Sequence, residues 1–363
     1  MSGVLLYLRL VVGTTIVIAP GIALARAFGV RGAAASLSWS LLAIFAALSL
    51  TFLVSASLTF TLLLLVVAGV WAAPRALRRT WPMPVKGAGA VGAAGVLLGL
   101  LLWHVAGEIG GDGFFHLARV RKLVAFDDLT LGAVEEFPDG GAHPGYAFPL
   151  WHGFLGLIAK VSGADPADVV LHLPSVLAPL ALVIAYEAGW ALFRRPVAAA
   201  TSAAAGVAMV SMAPAYGGAF TALALPATAS RQLLVPAVIA LAIEACRRPS
   251  RPVLATAAAG SLALAVVHPT YAIFLWIPFA GYVLVRWLWE REPLRRGGLV
   301  LAALVAPATL FFVWLLPTIR DTRSVSPDAD ERARALEQYA GQLDVHSPES
   351  FSVNPELFGR TGA

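Results

Sequence analysis

The stretch "ASLSWSLLAIFAALSLTFLVSASLTFTLLLLVVAGVWAA", residues 35–73, decides the fold. A single helix of that length would extend about 58 Å at 1.5 Å per residue. The hydrocarbon core of a bilayer is only about 30 Å thick. Residues 55–57, with Ser55 and Ser57, supply a turn, so the stretch reads as two membrane spans, 35–54 and 57–73. Outward from it the pattern repeats, and apolar runs at 10–25, 88–105, 169–192, 197–214, 232–246, 252–267, 270–286 and 298–317 bring the expected number to ten.

Composition agrees with this reading. Hydrophobic residues make up 59% of the 363 and charged ones 13%, and the mean hydropathy is +0.78, well outside the range of soluble domains. The single cysteine, Cys246, excludes an internal disulfide and a cysteine-based metal cluster. The net charge of +5 is carried by short connections, and neither a long basic run nor a nucleic-acid-binding motif accompanies it, so no nucleic-acid partner is expected.

Basic residues set the orientation. They cluster at Arg26/Arg31, at Arg75/Arg78/Arg79/Lys86, at Arg194/Arg195, at Arg247/Arg248/Arg251 and at Arg286/Arg291/Arg295/Arg296, all on one side of the ten-span scheme. Of the 21 acids, all but Glu187, Glu244, Glu290 and Glu292 fall on the other side. Positive connections face the cytoplasm, so the two long polar segments, 106–168 and 318–363, are expected outside. The parity requires residues 149–163, "PLWHGFLGLIAKVSG", not to cross; they read as a juxtamembrane helix on the outer face. It also favours an uncleaved first span over a signal peptide. Three regions follow: N-terminal spans in 1–87, a transmembrane core in 88–317 and an external polar segment in 318–363, whose ending leaves a continuation beyond residue 363 open.

The stretch "GEIGGDGFFHLARVRKLV", residues 107–124, concentrates charge at the outer surface. Asp112 suits a helix N-cap, and His116 follows at i+4 on the same face. Phe115, Val120 and Leu123 are expected to rest on the membrane, with Arg119 and Lys122 in the headgroup zone, as in an interfacial amphipathic helix. Arg231 in "ATASRQLLVP" is the one basic residue of its external loop and stands where a helix is expected to begin, so guanidinium and backbone N–H groups can converge on an anion. His268 and Tyr271 occupy a turn facing the same outer side. Glu187 and Glu244 read as near-interface ion-pair partners of Arg194 and of Arg247/Arg248.

The order of these pieces resembles the membrane glycosyltransferases of the GT-C class: protein O-mannosyltransferases, aminoarabinose transferases of lipid A and oligosaccharyltransferase catalytic subunits. "GDGFFHLARV" is similar to their first-loop aspartate motif. "HPGYAFPLWHGFLGLIAKVSGADPADVVLHLPSVL", residues 143–177, is similar to their His-Pro-Pro-Leu helix, glycine and Arg-Leu-Pro-Ser helix. Gly145 stands where the family has a second proline and His172 where it has arginine, and the resemblance covers about 88–195.

The resemblance implies an all-α polytopic membrane protein, GT-C-like, in a bacterial plasma membrane, with a large external loop carrying juxtamembrane helices and an active site facing outside. It implies transfer of a sugar from a polyprenyl-phosphate donor to a lipid, glycan or protein acceptor. Such a transfer needs a carboxylate for the nucleophile and cations for the departing phosphate. Asp112 is the expected catalytic carboxylate, with Glu108 and His116 beside it. Arg119, Lys122, His143, Arg231, His268 and Tyr271 are the expected substrate contacts. No cofactor follows from the residues. Mg²⁺ or Mn²⁺ are the candidates if the chain follows the oligosaccharyltransferase-like branch, with Glu135, Glu136, Asp139, Asp328 and Asp330 as spare carboxylates of no diagnostic spacing. A transporter or flippase of a lipid-linked sugar, and a non-catalytic envelope scaffold, are the competing classes; repeated halves and charges near the midplane would mark a transporter.

Overall fold

Prolines and small capping residues separate the helices of this chain. The computed structural model describes residues 3–79, 85–110, 112–134, 144–212, 219–291 and 293–321. The described residues are all-helical, with no strand. Helices α1 (Gly3–Ala27), α2 (Ala33–Leu53), α3 (Leu58–Leu77) and α4 (Ala88–His104) precede α5 (Asp112–Ala125) and α6 (Leu150–Ser162). Then come α7 (Pro166–Phe193), α8 (Pro196–Met212), α9 (Pro226–Ala229), α10 (Val235–Arg247), α11 (Arg251–Val267), α12 (Pro269–Glu290) and α13 (Leu294–Asp321). The turn expected near Ser55 is present: Ser55 has a φ of 49°, and Ser57 caps α3 by accepting a hydrogen bond from the Thr59 N–H. Asp165 caps α7 in the same way through the Ala167 N–H at 2.8 Å, with Pro166 in the first-turn position where a missing N–H costs nothing.

Among the described residues seven helices are long and apolar enough to cross a membrane: α1, α2, α3, α7, the run Pro226–Arg247 through α9 and α10, α12 and α13 up to Pro317. Three shorter apolar helices, Ala88–His104, Pro196–Val210 and Arg251–Val267, coincide with the other expected spans. Helix α4 packs along α7 at a distance only glycine permits. A Cβ on Gly95 would stand 2.5 Å from Pro179 Cα, and one on Gly99 2.2 Å from the Ser175 carbonyl oxygen. The two glycines are four residues apart, the spacing that lets apolar helices approach backbone to backbone.

Contacts along the helices define two ends of the bundle. At one end, the N-terminus of α2 receives Glu187 of α7, whose carboxylate accepts from the Ala33 and Ala34 N–H groups at 2.8 and 2.9 Å. Arg194 pairs there with Glu244, and Arg247 donates to the Ala191 and Leu192 carbonyls. At the other end, about 30 Å away along the 21 residues of α2, the Ala56 carbonyl accepts from the Leu129 N–H. There Leu48 lies against Gly153 of α6.

Several expectations are corrected here. Glu187 caps α2, because its carboxylate meets two unsatisfied N–H groups of a helix start, and Arg194 is left to Glu244. Helix α6 does not rest on the membrane surface as a juxtamembrane helix; it is packed inside the bundle. Its 13 residues span only about 20 Å, and Leu150, Trp151, Phe154, Leu155, Leu157 and Ile158 are all almost fully buried among α1, α2, α3, α5 and α7. The apolar side of α5 likewise packs inward: Val120 and Leu123 are fully buried, and Phe114 is the exposed aromatic of this helix.

Candidate functional site

The site grows from α5 and α6, which pack on each other. Asp112 opens α5 and is exposed. One turn later His116 is buried, and its Nδ1 lies 2.9 Å from His152 Nε2 of α6. One hydrogen fills that contact, so one ring donates and the other accepts. Burial pushes the His152 pKa well below the usual histidine value, and the neighbouring His116 and Arg119 push it the same way. His152 is therefore held neutral, a proton acceptor or relay according to its tautomer.

Arg119, one turn beyond His116, is almost fully buried. Its Nε donates to the Val134 carbonyl at 3.2 Å and its Nη1 to the Tyr146 carbonyl at 2.6 Å, while the guanidinium lies over the Phe115 ring. These bonds fasten the short 3-10 turn Pro144–Tyr146 against α5. The Tyr146 ring then stands edge-on to His116 at 5.1 Å, to His152 at 5.9 Å and to His268 at 5.9 Å. His268, which precedes the first turn of α12, contacts Tyr271 at 4.7 Å between ring centroids. Burial above all, then the charge of Asp112, raises the Tyr146 phenol to about 12, with Tyr271 adding and Arg119 opposing. At neutral pH Tyr146 is a hydrogen-bond donor and no base.

The structure thus brings together Asp112, His116, Arg119, His268 and Tyr271. Two members of the cluster, Tyr146 and His152, were not singled out from sequence; a histidine inside the apolar run "PLWHGFLGL" was the available signal. Glu108 is exposed in the connection ahead of α5. Lys122 is half-buried about 15 Å along α5 from Asp112. Arg121 pairs with Asp165 at 3.5 Å. His143 and the spare acids Glu135, Glu136, Asp139, Asp328 and Asp330 lie outside the described residues. Among the described residues no group of three His, Cys, Asp or Glu side chains is placed to hold a metal.

Arg231 stands inside the run Pro226–Arg247, not at its start. It belongs to a π turn, Ser230–Leu234, in which the Val235 N–H reaches back to the Ser230 carbonyl. Pro236 is the local cause, since it has no N–H for the carbonyl four residues earlier and its ring crowds that turn. Arg231 Nε and Ser230 Oγ are both buried without a hydrogen-bond partner, a costly and rare state, and π turns are frequent at functional sites. The Trp151 indole donates to the Ala224 carbonyl at 2.6 Å and ties the chain just before this turn to α6, so Arg231 belongs to the α5–α6 end.

The arrangement offers an exposed carboxylate, a neutral phenol, a histidine pair that shares one proton and, on a neighbouring helix, a guanidinium nitrogen seeking an acceptor. No protein-family model, no characterised protein and no solved structure matches the chain.

Proposed function

We propose that the chain is a membrane glycosyltransferase that moves a sugar from a polyprenyl-phosphate donor to an acceptor at the outer face. The supporting observation is the exposed Asp112 carboxylate beside the buried pair His116–His152 and the half-buried Tyr146 and His268. In this reading Asp112 orients and deprotonates the acceptor nucleophile. Tyr146 donates to the sugar or the acceptor, and the histidine pair holds a proton near the reacting bond. Arg231 engages the donor phosphate, whose oxygens match the unsatisfied Nε.

The topology that goes with this reading has ten spans, with α5 and α6 packed at the outer end of the bundle and the five basic clusters in the cytoplasm. Cysteines placed at Asp127 and at Arg195, after replacing Cys246, test it with an impermeant thiol reagent on intact cells. Labelling is expected at 127 and absent at 195; the reverse pattern overturns the sidedness.

The chemical test is Asp112→Asn, which keeps the size and most hydrogen bonding while removing the base. Transfer of radiolabelled sugar from polyprenyl phosphate in membranes should fall about 10²- to 10⁴-fold, with unchanged insertion and thermal stability. Equal turnover by the two proteins removes Asp112 from the mechanism. Failure of the unmodified chain to use any lipid-linked sugar overturns the transferase reading.

A further inference from the structure

The opposite end of the bundle holds a second feature, independent of the transferase reading. Where α1 ends, α2 begins and α3 ends, a cavity of about 560 Å³ is lined by Arg26, Arg31, Arg75, Arg78 and Arg79, with Gly29 in its wall. Among the described residues no carboxylate contributes to that lining. The arginines are held in place: Arg26 Nη2 donates to the Arg79 carbonyl at 3.1 Å, and the Arg75 guanidinium lies over the Trp71 ring at 4.7 Å. The Arg79 guanidinium crosses Gly29, whose φ is +75° and where a Cβ would meet Nη1 at 2.6 Å.

Helix dipoles explain part of this arrangement. Arg26 and Arg75 sit in the last turns of α1 and α3, where a cation is favourable. They do not explain Arg31, which precedes the positive N-terminal end of α2. That end already has its anion, the Glu187 carboxylate on the Ala33 and Ala34 N–H groups. Among the described residues the fold therefore supplies a carboxylate to the helix start and no ion pair to Arg31, Arg75, Arg78 or Arg79. Like charges around one concavity raise each other's energy, and an anion entering it adds an attraction to each of them that offsets the repulsion.

We propose that this cavity binds a phosphate-bearing anion, with several arginines engaging its oxygens in paired hydrogen bonds. Arginine is the residue suited to that geometry, and the five cationic lining residues are all arginine although the chain also contains lysine. The surroundings fit a phospholipid headgroup: Trp71, Leu77 and Phe28 are exposed apolar side chains on the helix ends that form the cavity, placed to meet acyl chains. A soluble diphosphate presents the same oxygens without that apolar contact.

The full chain in a neutral detergent provides the test, read as ligand-induced change in thermal unfolding. Phosphatidylglycerol, phosphatidylcholine and inorganic pyrophosphate are the three probes. Stabilisation by phosphatidylglycerol and not by phosphatidylcholine or pyrophosphate assigns the lipid headgroup; stabilisation by pyrophosphate as well assigns the soluble anion of the same chemistry.

The double variant Arg31→Gln/Arg78→Gln should bind the effective probe at least tenfold more weakly, as expected for removing charge-assisted hydrogen bonds. Arg195→Gln/Arg251→Gln, which removes equal charge from exposed positions outside the cavity, should bind as the unmodified chain does. Should the first pair fail to fold, Arg31→Lys/Arg78→Lys keeps the charge and loses the paired geometry, and is expected to bind with intermediate strength. Equal responses from the cavity pair and the control pair overturn the proposal, as does the absence of stabilisation by either anion.

Discussion

The two ends of the bundle handle charge in opposite ways. At the α5–α6 end, apart from the π turn at Ser230 and Arg231, polar groups of the cluster are buried and answered from within the chain: Arg119 by two carbonyls, His116 by His152, and the Trp151 indole by the Ala224 carbonyl. At the α1–α2–α3 end, five arginines surround a cavity whose lining offers no carboxylate among the described residues. A buried polar group must be paired where it stands, because desolvation otherwise costs more than the group returns. A charge that faces an opening can wait for a partner from outside. The first end is therefore organised to fix geometry and the second to receive an ion.

The largest expected effects lie in that fixed geometry. Gly99→Leu drives a side chain into the Ser175 carbonyl, where even a Cβ would sit at 2.2 Å, and α4 cannot leave α7 without exposing its own interface. Loss of the folded chain from membranes is expected, read by gel filtration of detergent extracts. Gly206→Leu, on α8 where a Cβ meets nothing, should be tolerated. Next comes Arg119→Met, which keeps the buried stem but leaves two carbonyls unpaired at about 1–3 kcal/mol each. Thermal unfolding should record a destabilisation of roughly 3 kcal/mol. Arg78→Met at the other end, at an exposed position, should change stability by less than about 0.5 kcal/mol. Similar costs at the two positions would erase the contrast.

The helical architecture was legible because membrane spans are written in long apolar runs, and the turn at Ser55 and the caps at Ser57 and Asp165 follow from local chemistry. The inward packing of α6 was not. An apolar helix too short to span looks the same whether it rests on lipid or is buried among other helices, and only tertiary contacts with Gly13, Leu48 and Leu58 decide. The cluster was half legible: Asp112 and His116 share a local pattern, whereas Tyr146, His152 and His268 meet only after three distant segments fold together. The π turn at Arg231 was hidden because Pro236 signals a break without saying how the helix absorbs it.

A pH series sharpens the comparison at smaller energy. Burial holds His152 neutral in the folded chain, its pKa lying well below the ordinary 6.5. An unfolded chain binds a proton there below about that pH and the folded one does not. Its contribution to stability is therefore full above 6.5 and is lost as the pH falls toward the depressed value. The slope approaches about 1.4 kcal/mol per pH unit. Thermal unfolding at successively lower pH should show this decline, and His152→Phe should flatten it. The arginines of the opposite end stay charged throughout this range, so Arg31→Gln/Arg78→Gln should leave the slope unchanged.

The smallest effect concerns the pair Arg121–Asp165, which joins the loop helix to the start of α7 at 3.5 Å with both side chains more than half exposed, at 56% and 58%. Water and salt screen such a pair, and ordering two long side chains offsets much of the attraction, so its coupling should be about 0.2–1 kcal/mol. Asp165 has a second duty: its Oδ1 accepts from the Ala167 N–H as the cap of α7. Losing a cap costs typically about 1 kcal/mol. Asp165→Ala should therefore cost more than Arg121→Ala, and Asp165→Asn, which can still cap, should cost nearly as little as Arg121→Ala. A double-mutant cycle over Arg121→Ala and Asp165→Asn isolates the charge term. A coupling well above 1 kcal/mol that persists in high salt would show that an exposed charge at this end is held as firmly as its buried ones, and the contrast between the two ends would then rest on the arginine cavity alone.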